Sequence, residues 1–212
     1  MNLTAGAQRF VKRNLTLEDV LPTQMPVYVN SVWYLFGATA LMGLVLIILT
    51  GLVMCFFGPT WYHFSPIGHY VNSMHFWSTQ LFFVGLVLHL VVKFMMAAWR
   101  DHRWSTWVWG LLSLSAAIFA GLTGFLMQTS WDSQWIAVQA KDAMNAIGIG
   151  GFFNTLNTGQ MLTVHVAVVP TVTLIFIGIH LLLVRRDSPV KPISPKPAKA
   201  GAPAAGEKVG PR

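Results

Sequence analysis

Four stretches of this sequence are each long and apolar enough to cross a bilayer, and that limits the possible folds more than any other feature. A spanning helix needs about 20 consecutive, predominantly apolar residues. Segments 32–57, 73–99, 106–127 and 162–184 meet this requirement and are called spans A, B, C and D. The chain is 54% hydrophobic and only 10% charged, whereas soluble domains run near 25% charged. Helices buried in a soluble bundle do not account for uninterrupted apolarity at this length. The single cysteine, Cys55, excludes a disulfide scaffold and lies inside an apolar run, which predicts a buried, inert thiol.

Charge sets the expected orientation. Thirteen of the 14 basic residues fall before A, around the B–C turn or after D, and Lys141 alone lies in the C–D connection. Positive residues accumulate on the cytoplasmic side, so both termini are expected inside and the A–B and C–D connections outside, in a bacterial inner membrane. Insertion accounts for the net charge of +7, and no nucleic-acid partner is needed. Trp33, Trp61, Trp99, Trp104, Trp107 and Trp109 gather near span ends, as an interfacial belt would. Lys93 is close enough to the end of B to snorkel.

The expected architecture is all-α: an integral membrane four-helix bundle over 29–187. It is flanked by a cytoplasmic amphipathic segment, 1–28, and a Pro/Ala/Lys-rich disordered tail, 188–212. No cleavable signal is visible in the first 28 residues. Residues 8–20 predict a short surface helix. In the long C–D connection, 128–160, the stretch SQWIAVQAKDAMNAI at 133–147 predicts an amphipathic helix on the outer surface, with Trp135, Ile136, Val138, Ala140 and Ala143 at rough helical spacing.

Ionisable side chains inside a membrane are costly and mark function. Span B carries His75 and His89, and span D carries His165 and His180. The B pair is separated by 14 residues, about 21 Å and within about 40° of one face; the D pair, 15 apart, is separated by about 22 Å and 60°. B and D run parallel, so His75 is level with His165 and His89 with His180. Facing imidazoles at two depths match the needs of two bis-histidine haems, the porphyrin supplying the other four iron ligands. A proton relay or an interhelix hydrogen bond explains one such histidine but fits four at matched depths poorly. A single four-histidine metal site fails on distance. His63, His69 and His102 are expected in loops, with His69 near the outer surface and available for proton release.

Glycines repeat the period on the other two spans. Gly37 and Gly51 in A are 14 apart, as are Gly110 and Gly124 in C, with Gly121 between. Missing side chains would let a macrocycle edge approach the backbone; small-residue helix packing is the alternative. The shared period favours haem clearance.

These residues, together with ILTGLVM in A, SMHFW opening B, TWVWG and GLTGF in C, the Trp131–Asp132 pair and Pro170 five residues after His165, resemble the cytochrome b/b6 family. The likeness, to the N-terminal four-helix half of a split cytochrome b, runs over about 21–189. The resemblance implies that His75 and His165 ligate an outer, low-potential haem b, and His89 and His180 an inner, high-potential one. It further implies an electron-transfer subunit of a quinol-oxidising respiratory or photosynthetic bc/b6-like complex, carrying electrons between quinol-oxidation and quinone-reduction sites at subunit interfaces. Implied partners are a C-terminal, subunit IV-like cytochrome b subunit, a Rieske iron–sulfur protein, a c-type cytochrome or equivalent acceptor, quinone and the lipid membrane, in a dimeric complex.

Departures accompany the likeness. The family's Pro-Glu-Trp-Tyr motif is missing. Asn72, Phe76 and Gln160 stand where relatives often carry arginine, and QTSWDS, 128–133, replaces a proline–tryptophan turn. Tyr34 occupies the position of a cysteine that attaches an extra haem in chloroplast-type relatives, so no covalent c-type haem is expected. The rival function is a dihaem anchor that passes electrons between quinone and an extrinsic hydrogenase or formate dehydrogenase.

Overall fold

The computed structural model describes residues 3–14, 32–128 and 130–187. Every regular element among them is helical. In chain order they are α1 (Leu3–Asn14), a 3₁₀ turn (Val32–Tyr34) running into α2 (Leu35–Phe57), a 3₁₀ turn (Trp61–His63), α3 (Pro66–Met95), α4 (Trp104–Leu126), α5 (Trp131–Ala146) and α6 (Thr158–Asp187). Four are long and apolar enough to span a membrane, with bounds Val32–Phe57, Pro66–Met95, Trp104–Leu126 and Thr158–Asp187. The chain is a membrane protein with four spanning helices among its described residues.

Span A has the bounds read from the sequence. Span B differs, because α3 begins seven residues earlier than expected. Ser65 caps it, its hydroxyl accepting from the Gly68 amide at 3.2 Å, and Pro66 occupies the first turn. His69 therefore sits in the first turn of a helix rather than in a loop. The surface helix expected over 8–20 is observed as Leu3–Asn14; the rest of that stretch, and the 188–212 tail, lie outside the described residues.

α2 packs along α3, and α4 along α6, while the two histidine helices make no extended backbone contact with each other. At mid-depth the four helices converge on Ala40, Leu44, Phe82 and Ala117, joined by Ile47, Phe83, Leu86 and Ile177. A Cβ on Gly43 would lie 3.0 Å from the Phe82 backbone, and one on Gly85 2.9 Å from the Ala40 backbone. These two glycines set the close α2–α3 approach, in the manner of small-residue packing between membrane helices. The histidine pairs lie to either side of this waist.

Cys55 is exposed, which corrects the expectation of a buried thiol. In a membrane bundle an apolar position can face lipid as readily as the core, so apolarity did not predict burial. α5 buries Ser133 and Ala137, and Ala137 packs in a cluster with Leu126 and Met161 near the ends of α4 and α6. Trp135, Ile136 and Val138 face outward.

Candidate functional site

The four histidines lie at two levels, and at one level the two rings face one another directly. The His75 and His165 ring centroids are 6.4 Å apart, with the planes at 81°. His89 and His180 lie within electrostatic range of one another.

Parallel helices alone do not align the pairs, because the spacings are 14 on α3 and 15 on α6. The extra residue is taken up by a π-helical turn, Val164–Val168, that contains His165. Its signature is the Val169 amide bonding the Val164 carbonyl, five residues back. A π-bulge inserts one residue into a helix, which returns the α6 spacing to that of α3. Pro170 gives the physical reason for its place: proline removes an i→i−4 bond and clashes with that carbonyl in a regular helix.

Each glycine of the repeat faces one histidine. A Cβ would lie 3.0 Å from His89 Nδ1 at Gly37, 3.3 Å from His75 Cε1 at Gly51, 3.0 Å from His180 Cε1 at Gly110, and 2.5 Å from His165 Cε1 at Gly124. Among the protein atoms, the nearest neighbour at each of these positions is an imidazole. α2 and α3 are antiparallel, as are α4 and α6, so a glycine period equal to the histidine period makes both contacts of a hairpin in one register. Gly121 opposes Phe83 at the waist, 3.0 Å from a built Cβ.

The close approach brings each ring to the neighbouring helix. His180 Nδ1 is 2.9 Å from the Thr106 carbonyl, and His165 Nδ1 is 3.1 Å from the Ala120 carbonyl and 3.2 Å from Thr123 Oγ1. A carbonyl only accepts, so Nδ1 carries the proton in both rings and Nε2 keeps its lone pair. His75 Nδ1 is 2.9 Å from Thr50 Oγ1, which itself donates to the Leu46 carbonyl at 2.7 Å. His75 also hydrogen-bonds the Ile47 backbone, a carbonyl acceptor that places the proton on Nδ1 there too. His89 Nδ1 is buried without a partner. The α2 residues level with it sit at the junction of the 3₁₀ turn and α2.

This donor set fits haem. Two imidazoles sharing one metal through Nε2 bonds of about 2 Å have centroids about 6 Å apart, close to what the first pair shows. Among the described residues no three His, Cys, Asp or Glu side chains gather at one point. Two nitrogens per site are what a porphyrin, with its own four, leaves open.

Sequence reasoning missed Thr50, Thr123, Thr106 and Asp187. The first two each directly precede a repeat glycine (Thr50-Gly51, Thr123-Gly124), a signal available in the sequence. Thr106 Oγ1 donates to Asp187 Oδ2 at 2.9 Å, tying the start of α4 to the end of α6 beside the His180 acceptor. Lys93 Nζ stands 3.8 Å over the Tyr34 ring, near the second histidine pair. Gln160 has a local role: its Oε1 accepts from the Asn154 amide at 2.6 Å and its Nε2 donates to the Phe152 carbonyl at 2.8 Å. Asn72 and Phe76 lie on α3, on either side of His75 by one turn or less.

Comparison with known proteins agrees with this geometry. Residues 80–206 match the family model described as cytochrome b (N-terminal)/b6/petB. The chain is 28% identical over 214 residues to the cytochrome b subunit of a cytochrome bc complex from Chlorobaculum thiosulfatiphilum, covering 90% of this chain and 50% of that protein. It is 24% identical to cytochrome b6 of Heliomicrobium gestii, covering 84% of this chain and 94% of the other. Its fold resembles a chain of a hyperthermophilic respiratory Complex III, with a TM-score of 0.67 and 22% identity over 84% of this chain and 54% of that one. The chain thus spans about half the length of the Chlorobaculum protein and of the Complex III chain, and nearly all of a cytochrome b6. This chain belongs to the cytochrome b (N-terminal)/b6 family.

Proposed function

We propose that this chain is the dihaem cytochrome b subunit of a quinol-oxidising bc/b6-like complex. His75 and His165 hold an outer, low-potential haem b, and His89 and His180 an inner, high-potential one. The observation that carries the reading is the fourfold repeat of one unit: a histidine on α3 or α6 set against a glycine on its hairpin partner, with His75 and His165 facing one another. Bound haem would supply a one-electron carrier at each depth. The chain holds the rings: the helices fix imidazole orientation, the glycines admit the rings, and the Nδ1 acceptors of His75, His165 and His180 direct Nε2 inward. Gly37, Gly51, Gly110 and Gly124 act as clearance residues for the ligated imidazoles.

The distribution of basic residues supports termini on the cytoplasmic side of a bacterial inner membrane. A C-terminal, subunit IV-like membrane subunit is one proposed partner. The remaining proposed partners are a Rieske protein, a c-type cytochrome or equivalent acceptor, and quinone, in a dimeric assembly without covalent haem on this chain.

Gentle detergent extraction from native membranes, with subunit identification and quinol-driven reduction of the haems, tests the proposal. Copurification of a Rieske protein and a second b-type subunit, with quinol reducing the haems, is expected. Copurification of a hydrogenase or formate dehydrogenase instead would overturn it in favour of an electron-passing anchor.

A further inference from the structure

The two histidine pairs differ in what their Nδ1 atoms meet. At the outer pair both rings have partners. His75 donates to Thr50, and His165 is shared between Thr123 Oγ1 and the Ala120 carbonyl. The two hydroxyls pass their own protons to backbone carbonyls: Thr50 to Leu46 at 2.7 Å, and Thr123 to Phe119 and Ala120 at 3.0 Å each. Each Nδ1 also meets a backbone carbonyl, Ile47 for His75 and Ala120 for His165, and so carries a proton; both threonine oxygens therefore act toward the rings as acceptors. Both threonines are buried, Thr50 at 7% and Thr123 at 1% exposure. In span helices of this apolarity, buried hydroxyls set at hydrogen-bond distance from the rings have a specific polar partner to satisfy.

At the inner pair the inventory is shorter. His180 has the Thr106 carbonyl, and His89 Nδ1 has no partner. The residues preceding the inner glycines are Phe36 and Trp109, where the outer ones have threonine. An acceptor on the outward N–H of a ligating imidazole raises its basicity and favours the more highly charged metal state. Outer-shell hydrogen bonding is one of the protein's means of setting a haem's potential. Lys93, within electrostatic range of both inner histidines, favours the less positively charged, reduced state at that end. Both effects point the same way.

We infer that Thr50 and Thr123 are positioning residues that hold the outer haem at the lower potential, acting through Nδ1 of His75 and His165. The inference rests on the two-haem reading above and adds a cause for the difference between the sites. Its geometry also defines a gain-of-function change: Phe36 stands next to Gly37 as Thr50 stands next to Gly51, so Phe36→Thr would offer a hydroxyl to the unpartnered His89.

The test is a redox titration of the native complex, followed optically, after the haem-to-chain ratio of each preparation has been measured. Thr50→Val and Thr123→Val should each raise the reduced-to-oxidised ratio of the outer haem by about three- to tenfold at its wild-type midpoint, tenfold being about 59 mV for one electron. The inner haem should not move. Thr50→Ser and Thr123→Ser, which keep the hydroxyl, should leave both potentials in place, and Phe36→Thr should lower the inner one. If the valine variants lose the outer haem, the serine variants and Phe36→Thr still decide. Two bound haems with an unmoved outer potential in the valine variants, equal shifts of both haems, or an unmoved inner potential in Phe36→Thr would overturn the inference. A preparation without two haems per chain would instead overturn the reading beneath it.

Discussion

The glycine repeat supports a graded prediction, because the space behind each histidine differs. An alanine Cβ at position 124 would lie 2.5 Å from His165 Cε1 and 3.1 Å from both ring nitrogens; at position 51 the nearest ring atom is 3.3 Å away. Ordinary contact begins near 3.4 Å, so His165 would have to retreat by close to an ångström and His75 by about a tenth. The retreat at 124 would also stretch the His165 bonds of 3.1 and 3.2 Å to the α4 helix. Overpacking of this kind costs about 1–3 kcal/mol, and lost hydrogen bonding about 1 kcal/mol more. Alanine's helix preference returns about 1 kcal/mol. Gly124→Ala should therefore weaken outer-haem binding by roughly ten- to a hundredfold, since 1.4 kcal/mol is a factor of ten. Gly51→Ala should be nearly neutral. Gly37→Ala and Gly110→Ala, each 3.0 Å from a ring atom, should weaken the inner haem by an intermediate amount. Gly178→Ala is the control, because nothing lies within 4 Å of its Cβ. Reduced-minus-oxidised spectra of purified variants, resolved by redox titration, read the occupancy of each site. Equal losses at all four repeat positions, or an effect of Gly178→Ala as large as that of Gly124→Ala, would refute the pairing of glycines with histidines.

Three further outcomes follow from other parts of the structure. Deleting Val166 should turn the π-helical turn into regular helix and retain both haems, whereas inserting an alanine between Leu174 and Ile175 should displace one histidine by about 100° and 1.5 Å and lose a haem; haem content per chain checks both. Gln160→Ala should free two backbone partners, at Asn154 and Phe152, and speed amide hydrogen exchange around 152–156 by about fivefold or more, without changing haem content. Asp187→Ala should remove the charged acceptor of Thr106 and lower stability by about 1–3 kcal/mol, read as a lower thermal midpoint of inner-haem release.

Much of the fold and most of the candidate site could be read from the sequence, because a bilayer imposes simple rules. Span A was read to the residue, since both its ends coincide with changes in apolarity. The start of α3 was missed because His69, Tyr70, Asn72 and Ser73 look like a loop on hydropathy, although Ser65-Pro66 is an N-terminal capping signal. The histidine pairs were legible because 14 residues return nearly to the same helix face. What absorbs the fifteenth residue was not, since a π-bulge is a backbone choice with Pro170 as its single sequence hint. Glycine clearance was legible as a period, whereas the imidazole that each glycine faces was not, because that depends on how the hairpins pair. The Thr50, Thr123 and Thr106 contacts join residues 25 to 81 positions apart; only the tertiary arrangement brings them together. Cys55 shows the limit of apolarity as a guide, because lipid and core reward the same side chains.

Each chain is expected to bind two haems through these four histidines. The direct measurement is a pyridine haemochrome assay on the purified complex, with haem counted against this polypeptide, for wild type and for His89→Ala and His165→Ala. Two extractable b haems per wild-type chain, falling to one in each variant with a different haem lost in each, is the predicted result. No haem or a single haem in the wild type, or loss of the same haem in both variants, would contradict it.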